Sequence, residues 1–337
     1  MTIRVGINGF GRIGRNFYRA ARVRNNSIGI DVVAVNDLGS AHTLAHLLAH
    51  DSVHGRLEAD VSVNDNVIVV DDDELQVLSE RNPEALPWSD LGIDVVVEST
   101  GIFTDRNAAA RHLQGGAPRV VVSAPASGAD KTFVVGVNDD DFDPETDVVV
   151  SNASCTTNCF VPMVKVLDDT FGVVKGLMTT VHGYTGDQAL VDGPHSDLRR
   201  ARAAAVNIVP TSTGAARATS LVLQSMTGKL DGISMRVPVP DGSITDFTVE
   251  LAKEASVAEI NEAFASAASS PPLGNVLDYS EAPLVSSDIL GSPASCTFDA
   301  GLTMAIGNMA KVSGWYDNEW GYSNRLVDLT LIVGSAN

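Results

Sequence analysis

The sequence predicts a two-domain protein, in which an α/β domain built on a parallel sheet is followed by an α+β domain with a mostly antiparallel sheet. The chain has 337 residues, and at roughly 150 residues per domain this length is enough for about two domains. Short β-branched runs alternate with helix-like stretches in the first half, whereas longer strand-like runs separated by fewer helices fill the second half. The change of pattern places a domain boundary near residue 154.

The first half has the pattern of consecutive βαβ units. Strands are predicted at residues 3–8, 31–36, 94–98 and 119–123, with helices at 12–24, 41–49 and 106–113. Residues 95–97 and 120–122 are all valine, which is typical of parallel strands covered on both faces. We therefore expect a doubly wound sheet with helices on its two sides.

The second half is predicted to contain longer strands and a returning helix. Strands are expected at 173–181, 233–239, 244–251, 295–298 and 309–315, with helices from about 155 and at 214–226, 257–268 and 319–333. The last helix is assigned to the first domain. The predicted domains are thus 1–154 with 318–337, and 155–317.

The composition is that of a globular protein rather than a disordered one. The hydrophobic fraction is 44% and the charged fraction 19%, which allows a large core. The formal net charge of −19 repels nucleic-acid phosphates and anionic lipids, and no apolar run approaches the ~20 residues that span a bilayer. We expect neither a nucleic-acid nor a membrane partner.

The numbers of cysteine and aspartate residues indicate the cellular compartment and the salt concentration in which the protein works. Three cysteines are too few for a disulfide framework, and the first residues lack a signal-peptide pattern, so a cytoplasmic location is expected. The chain has 30 Asp against 6 Lys. Short, strongly hydrated carboxylates in such excess suggest adaptation to high salt, where screening weakens self-repulsion.

A glycine fingerprint follows the first predicted strand. Gly9-Phe10-Gly11-Arg12-Ile13-Gly14 fits G-x-G-x-x-G between a strand and a helix, where glycines let the backbone approach a pyrophosphate. Asp37 follows the second strand, roughly 20 residues later, where a carboxylate accepts hydrogen bonds from ribose hydroxyls and repels a 2′-phosphate. The first domain is therefore predicted to be a Rossmann dinucleotide-binding domain that prefers NAD.

Cys155 lies where a predicted strand passes into a helix. The partial positive charge of a helix N-terminus is expected to lower the thiol pKa and stabilise a nucleophilic thiolate. A buried small hydrophobic role is the alternative for this residue. Cys159 and Cys296 are interpreted as structural.

His182 is the preferred partner for the thiol, because it ends the strand predicted at 173–181. Sequence spacing alone does not place it beside Cys155. Four other histidines recur every four residues from position 42 to position 54. Nothing in the sequence completes a metal site with them, so no metal is predicted.

Three runs closely resemble phosphorylating glyceraldehyde-3-phosphate dehydrogenases: Gly6-Ile7-Asn8-Gly9-Phe10-Gly11-Arg12-Ile13-Gly14-Arg15, Ala153-Ser154-Cys155-Thr156-Thr157-Asn158 and Trp315-Tyr316-Asp317-Asn318-Glu319. The resemblance extends along the whole chain. It implies NAD-dependent oxidation of D-glyceraldehyde 3-phosphate with inorganic phosphate to 1,3-bisphosphoglycerate, a reversible step of glycolysis and gluconeogenesis, and a homotetramer.

The resemblance also implies a role for individual residues. Cys155 is the nucleophile and His182 the base. The cofactor set is Gly9, Gly11, Arg12, Ile13, Asp37, Arg81, Ser123, Asn318 and Tyr322. The substrate and phosphate set is Ser154, Thr156, Thr185, Arg200, Thr213, Gly214 and Arg236. Arg236 is also singled out physically, because an arginine within an apolar strand is costly unless it pairs with an anion.

The sequence departs from the family pattern between residues 183 and 194. Gly186 replaces a frequent Asn, and Gly193 replaces the Leu usual in NAD-specific members, so use of NADP stays open. The rival functions are an erythrose-4-phosphate dehydrogenase of the same architecture, a Cys–His hydrolase and a non-catalytic NAD-binding protein. A Cys–His hydrolase does not need a dinucleotide, so the glycine fingerprint argues against it. The intact set of Cys155, His182, Arg200 and Arg236 argues against a non-catalytic protein.

Overall fold

The computed structural model describes residues 2–335, apart from the side chains of residues 25–28. The chain forms two compact units. The first comprises Met1–Phe133, Asp139–Ala153 and Ser323–Asn337, and the second comprises Val134–Asn138 and Ser154–Tyr322. Met1, Ala336 and Asn337, which the predicted first domain includes, lie outside the described residues.

The first unit contains eleven of the described strands and four complete helices. The strands are β1 (Ile3–Asn8), β2 (Ile30–Asn36), β3 (His50–Asp51), β4 (Gly55–Arg56), β5 (Val61–Asn64), β6 (Val67–Val70), β7 (Asp73–Leu78), β8 (Val95–Glu98), β9 (Arg119–Val122), β10 (Lys131–Thr132) and β11 (Val149–Ser151). The helices are α1 (Arg12–Ile28), α2 (Ala41–Ala49), α3 (Arg106–Ala109) and α4 (Arg111–Gln114).

Nine of these strands form one sheet in the order β10-β11-β9-β8-β1-β2-β7-β6-β5. The seven strands from β10 to β7 are parallel, and the last two pairs at the edge, β7 with β6 and β6 with β5, are antiparallel. The valines of β8 and β9 are buried, as expected for a sheet covered on both faces. The predicted doubly wound fold is confirmed. The carboxyl ends of the parallel strands therefore meet at one edge, where such sheets bind ligands.

Local signals explain most of the helix boundaries in this unit. α1 begins directly after Gly11 and ends at Gly29, which adopts the left-handed conformation (φ 63°) that closes many helices. Ser40 caps α2 by accepting a hydrogen bond from the Thr43 amide (3.2 Å). The single helix predicted at 106–113 is instead the two short helices α3 and α4, separated at Ala110.

The second unit contains eight described strands and three complete helices. The strands are β12 (Val173–Gly183), β13 (Val209–Ser212), β14 (Leu230–Val237), β15 (Ser243–Leu251), β16 (Leu277–Ser280), β17 (Cys296–Asp299), β18 (Met304–Ile306) and β19 (Met309–Tyr316). The helices are α5 (Cys155–Phe171), α6 (Ala215–Val222) and α7 (Val257–Ala268). The last helix of the chain, α8 (Trp320–Gly334), begins in this unit and ends in the first.

The sheet of the second unit has the order β13-β14-β12-β15-β19-β17-β16, with β18 paired to β19. Its pairs are antiparallel except for β12 with β14 and β16 with β17, so the predicted mostly antiparallel sheet is confirmed. α5 packs on this sheet, and the rings of Phe160 and Phe247 meet edge to face with centroids 4.8 Å apart. The sheet and α5 hold the core of the unit.

Two predicted elements of the second unit differ from the observed ones by more than two residues at one end. The helix predicted at 214–226 ends at Val222 and is followed by a separate 3-10 turn, Gln224–Met226. The strand predicted at 233–239 is Leu230–Val237, and it ends before Pro238, which has no amide to donate to a neighbouring strand. In the part of the chain that the structure describes, no helix is both long and apolar enough to span a bilayer.

Candidate active site

The N-terminus of α5 positions Cys155. The preceding residue, Ser154, has extended backbone angles and caps the helix, because its Oγ accepts a hydrogen bond from the Thr157 amide (3.1 Å). Asn158 Nδ2 in turn donates to the Ser154 carbonyl (3.0 Å). Cys155 is therefore the first helical residue, held on a rigid element rather than on a loop.

The end of β12 brings His182 to this thiol. Cys155 Sγ lies 3.4 Å from His182 Nε2, which is hydrogen-bonding distance for a sulfur atom. The imidazole is buried, and its Nδ1 lies 2.7 Å from the Gly183 carbonyl oxygen and 2.9 Å from a guanidinium nitrogen of Arg236. The structure thus joins three residues that sequence spacing could not connect.

The two contacts of His182 Nδ1 require different tautomers. The Gly183 carbonyl accepts only, so this contact needs a proton on Nδ1 and leaves the Nε2 lone pair facing the thiol. The Arg236 guanidinium donates only, so its contact needs an unprotonated Nδ1 and a proton on Nε2. With its proton on Nδ1, the neutral ring can take a second proton at Nε2 and, as the imidazolium, return it there.

Burial sets the protonation of the pair. Loss of solvent raises the pKa of the Cys155 thiol to about 11, although the Arg236 cation opposes this shift. Burial, followed by repulsion from Arg236, lowers the pKa of His182 to about 3. The thiol pKa is raised rather than lowered as predicted, because loss of solvent outweighs the lowering by Arg236 and by the hydrogen bonds of Thr156. A neutral thiol therefore faces a neutral imidazole that can act as a base.

A hydroxyl network that the sequence does not predict fixes the first turn of α5. Tyr316 OH lies 2.8 Å from Thr156 Oγ1 and 2.8 Å from Thr180 Oγ1. Thr156 follows Cys155 on α5, and Thr180 lies two residues before His182 on β12. Tyr316 therefore ties together the two elements that carry the thiol and the imidazole.

A group of hydrogen-bonded polar and charged side chains lies next to His182. Arg236 donates to Thr185 Oγ1 (3.3 Å) and to the Gly183 carbonyl (3.2 Å). Asp187 accepts hydrogen bonds from the Thr185 hydroxyl and from Arg200 (2.5 Å). The structure therefore connects Thr185, Arg200 and Arg236 through Asp187, a residue absent from the sequence predictions. The sequence feature that could have identified Asp187 is its position two residues after Thr185.

The other predicted substrate residues lie at helix starts. Ser154 and Thr156 belong to the first turn of α5. Gly214 precedes α6, and Thr213 Oγ1 accepts a hydrogen bond from the Ala215 amide (3.2 Å). α6 packs against α5.

The glycine fingerprint of the first unit has the geometry that a dinucleotide needs. Gly9 has a φ of +92°, and a Cβ there would lie 2.6 Å from the Thr100 amide nitrogen. A Cβ at Gly14 would lie 2.2 Å from the Gly9 carbonyl oxygen, whereas one at Gly11 would meet no atom within 4 Å. Gly9 therefore makes the turn, Gly14 allows close packing, and Gly11 leaves room for a ligand.

Asp37 is held against this fingerprint. Its Oδ2 accepts a hydrogen bond from the Phe10 amide (2.9 Å) and its Oδ1 accepts one from the Gly39 amide (2.9 Å). The guanidinium of Arg12, at the start of α1, donates to both oxygens of Asp51 (3.0 and 3.2 Å), a pairing that the sequence did not predict. The carboxylate and the glycine turn fit NAD.

The remaining predicted cofactor residues fall into two groups. Arg81 and Ser123 follow β7 and β9, so they lie at the same carboxyl edge of the sheet as Gly9. Asn318 and Tyr322 are buried in the second unit. The Asn318 side-chain oxygen accepts a hydrogen bond from Ser243 Oγ (2.5 Å).

Comparison with known proteins decides the family. Residues 3–106 match the model of "Glyceraldehyde 3-phosphate dehydrogenase, NAD binding domain", and residues 154–318 match that of "Glyceraldehyde 3-phosphate dehydrogenase, C-terminal domain". The chain belongs to the glyceraldehyde-3-phosphate dehydrogenase family. It is therefore an enzyme, and the predicted cofactor, NAD, is confirmed.

Relatives that carry this family name match the chain from end to end. A glyceraldehyde-3-phosphate dehydrogenase of Streptomyces coelicolor is 60% identical over 99% of both chains. Glyceraldehyde-3-phosphate dehydrogenase 2 of Streptomyces arenae is 59% identical, and the Mycolicibacterium smegmatis protein is 60% identical, each over 100% of both chains.

For this member of the glyceraldehyde-3-phosphate dehydrogenase family, R236Q is expected to slow alkylation of Cys155. The Arg236 cation lowers the pKa of the thiol, so its removal raises that pKa and reduces the thiolate fraction at a given pH. His182, whose pKa is about 3, stays neutral over the alkylation range. The pH–rate profile for iodoacetamide should move to higher pH, by about one unit or tenfold in rate.

The matched control is R217Q, which removes an exposed arginine of the same unit that pairs with Asp231 (2.8 Å). This variant should leave the profile in place. A profile of R236Q that stays unchanged or moves to lower pH would contradict the assigned influence of Arg236 on the thiol.

Proposed function

We propose that the protein oxidises D-glyceraldehyde 3-phosphate with NAD and inorganic phosphate to 1,3-bisphosphoglycerate, reversibly, in glycolysis and gluconeogenesis. The observation that carries this proposal is the 3.4 Å contact between Cys155 Sγ and His182 Nε2, beside two arginines. A thiol and a base are the groups needed to make a covalent adduct with an aldehyde. The names of the relatives support this substrate.

The first step forms a bond between Cys155 Sγ and the aldehyde carbon. His182 Nε2 takes the thiol proton as the sulfur attacks, because a thiol whose pKa is about 11 is a weak nucleophile until it loses that proton. The carbonyl oxygen takes that proton from His182 and becomes the hydroxyl of a thiohemiacetal, which leaves His182 neutral again. Backbone amides at the start of α5 stabilise the developing negative charge.

The second step converts the thiohemiacetal to a thioester on Cys155. When bound, NAD supplies the acceptor for the hydride that leaves the former aldehyde carbon. His182 Nε2 removes the hydroxyl proton in this step and the ring becomes an imidazolium, since Nδ1–H donates to the Gly183 carbonyl and leaves the Nε2 lone pair free.

The third step transfers the acyl group to inorganic phosphate. A phosphate oxygen attacks the thioester carbon, the carbon–sulfur bond breaks, and Cys155 leaves as thiolate and regains its proton from His182 Nε2, which took it in the second step. We assign binding of the two phosphate groups to Ser154, Thr156, Thr185, Arg200, Thr213, Gly214 and Arg236. Guanidinium groups suit this task, since they bind phosphate oxygens in pairs.

We propose that residues 1–154 and 318–337 together form the NAD-binding domain and that residues 155–317 form the catalytic domain. Gly9, Gly11, Arg12 and Ile13 are assigned to the pyrophosphate. The remaining assignments are Asp37 to the ribose, Arg81 and Ser123 to the adenine side, Asn318 to the nicotinamide amide and Tyr322 to its ring.

The test is reduction of NAD followed by absorbance, with glyceraldehyde 3-phosphate and inorganic phosphate, at low and molar salt. Reduction that requires phosphate is the expected result. Phosphate-independent reduction would overturn the acyl-transfer step. Faster turnover of erythrose 4-phosphate would identify the rival dehydrogenase, and a folded protein that reduces NAD with neither aldehyde would contradict the proposal.

Replacing Asp37 by serine is expected to change cofactor preference. The variant loses a carboxylate that faces the ribose site and gains tolerance for a 2′-phosphate. Because a hydrogen bond to a charged group contributes about 1.5–3 kcal/mol, kcat/KM for NAD should fall roughly 10–100-fold, while that for NADP rises. The check is the ratio of the two kcat/KM values.

The control for this prediction is D31N. Asp31 lies near the other end of β2, on the surface, where it pairs with Arg4 (3.1 Å). D31N should therefore keep the parental preference for NAD over NADP. An unchanged NAD-to-NADP ratio in D37S would show that the loop carrying Gly186 and Gly193 determines specificity.

We further propose that the enzyme is a homotetramer of the cytoplasm adapted to high salt. Exposed apolar side chains on the second unit, among them Leu177, Ile306 and Met309, support burial against other copies. Three free thiols suit a reducing compartment. The net charge of −19 supports the salt adaptation, which predicts that activity rises with salt in the assay above.

A further inference from the structure

Three buried polar side chains form a row across the sheet of the first unit. Asn8 ends β1, Asn36 ends β2 and Glu98 ends β8, and the strand register pairs Asn8 with each of the other two. Register partners in parallel strands share a face of the sheet. All three residues are less than 5% exposed. Polar groups this deeply buried are costly unless hydrogen-bonded.

Glu98 is the centre of the row and accepts hydrogen bonds at both carboxylate oxygens. Its Oε2 lies 2.6 Å from Asn8 Nδ2 and 2.9 Å from His112 Nε2. Its Oε1 accepts from the amide (2.8 Å) and the hydroxyl (2.5 Å) of Thr100. Four donors on three chain segments therefore converge on one carboxylate.

Trp88 fixes the orientation of the histidine in this network. The indole Nε1 of Trp88 donates to His112 Nδ1 (3.0 Å), and an indole N–H can only donate. His112 Nδ1 is therefore unprotonated, its proton is on Nε2, and that proton points to Glu98. The indole thus makes His112 a donor to the carboxylate.

The network continues from Asn8 towards the next strands. Asn36 Nδ2 donates to Asn8 Oδ1 (2.7 Å) and to the Glu80 carbonyl (2.8 Å), while Asn36 Oδ1 accepts from the Glu80 amide (2.8 Å). Asn36 thereby binds the backbone that follows β7. One continuous set of hydrogen bonds connects the carboxyl ends of β8, β1, β2 and β7.

Three residues of this set directly precede residues assigned to NAD: Asn8 precedes Gly9, Asn36 precedes Asp37, and Glu80 precedes Arg81. We propose that Glu98 is a positioning residue for the cofactor, whose carboxylate, through Asn8 and Asn36, sets the spacing of the pyrophosphate, ribose and adenine segments. Glu98 has no role in the chemistry at Cys155. The inference rests on the proposed NAD site.

The test is E98Q, with D94N as the matched control. An amide at position 98 keeps the volume but turns an N–H towards one of the donors in either orientation, because all four partners donate. Asp94 lies just before the other end of β8, where it accepts from the Arg4 amide (2.8 Å). Binding of NAD measured by calorimetry should weaken about tenfold in E98Q and stay within twofold of the parent in D94N.

Two further measurements separate positioning from general damage to the fold. At saturating NAD, kcat and the rate of Cys155 alkylation should stay within about threefold of the parent in E98Q. N8D/E98Q introduces an acceptor at position 8 for the new amide, so the double variant should bind NAD more tightly than E98Q. A double variant that binds more weakly than E98Q contradicts the network.

T100V provides the milder variant if E98Q does not fold, since it removes only the hydroxyl donor to Glu98. It should weaken NAD binding about threefold, a small hydrogen-bond effect, and an unchanged Kd would overturn the inference. A folded E98Q with parental affinity for NAD would overturn it as well. Failure of the parent protein to bind NAD would instead overturn the proposed function, so the two failures are distinguishable.

Discussion

C155A is expected to abolish turnover of glyceraldehyde 3-phosphate, with a loss of at least about 10⁴-fold in kcat. The sulfur forms the bond to the aldehyde carbon, and no other side chain on α5 can replace it, since Cys159 is fully buried one turn further along the helix. Loss of the group that forms the covalent intermediate costs more than loss of an assisting group. The measurement is phosphate-dependent reduction of NAD by purified variant and parent at equal concentration.

C159A is the matched control for this prediction. It removes a thiol from the same helix without removing the nucleophile, so it should keep most of the activity at some cost in stability. Calorimetric binding of NAD by C155A should remain, because the glycine fingerprint and Asp37 belong to the first unit. Turnover by C155A at more than a few per cent of the parental rate would refute the covalent mechanism.

H182N is expected to slow formation of the thioester by roughly 10²–10⁴-fold, the usual contribution of a general base. Asparagine keeps an amide donor near the Gly183 carbonyl but places no basic nitrogen 3.4 Å from Cys155 Sγ. The thiol must then lose its proton to water, at a pKa that burial holds well above neutrality. The measurement is the pre-steady-state burst of reduced nicotinamide.

This loss should shrink as the pH rises, because hydroxide then forms the thiolate that His182 forms in the parent. The sign follows from the raised thiol pKa: the thiolate fraction grows tenfold per pH unit until about pH 11. A deficit of H182N that is independent of pH between 7 and 10 would assign His182 to orientation of substrate rather than to proton transfer.

Much of the first unit could be predicted because its signals are local. The valine runs of β8 and β9, the fingerprint before α1 and the cap of α2 each act within a few residues, and the predicted and observed bounds agree closely. The prediction missed the short strands β3, β4 and β10 and the longer strands β5 to β7. The sequence shows a hairpin pattern at β5 and β6, with alternating residues on either side of Asn64-Asp65-Asn66. In the structure Asp65 makes the turn with a φ of +51°.

The site was harder to predict, because its contacts are not local. Sequence spacing proposed Cys155 and His182 separately, and only the packing of α5 on the sheet brings their side chains together. Motif resemblance selected Thr185 and Arg200 but not Asp187, which bonds to both. The thiol pKa was predicted in the wrong direction, since burial by distant segments is not visible in a local motif.

The division of the chain has a consequence for synthesis on the ribosome. The first unit includes Ser323–Asn337, and a Cβ at Gly334 would lie 2.5 Å from the Ile3 side chain, so the end of α8 packs closely on the first strand. A nascent chain must therefore finish the whole second unit before the surface around Ile3 is covered. Until α8 has been synthesised, the N-terminal part of the first unit remains incomplete and exposes apolar surface to chaperones and proteases.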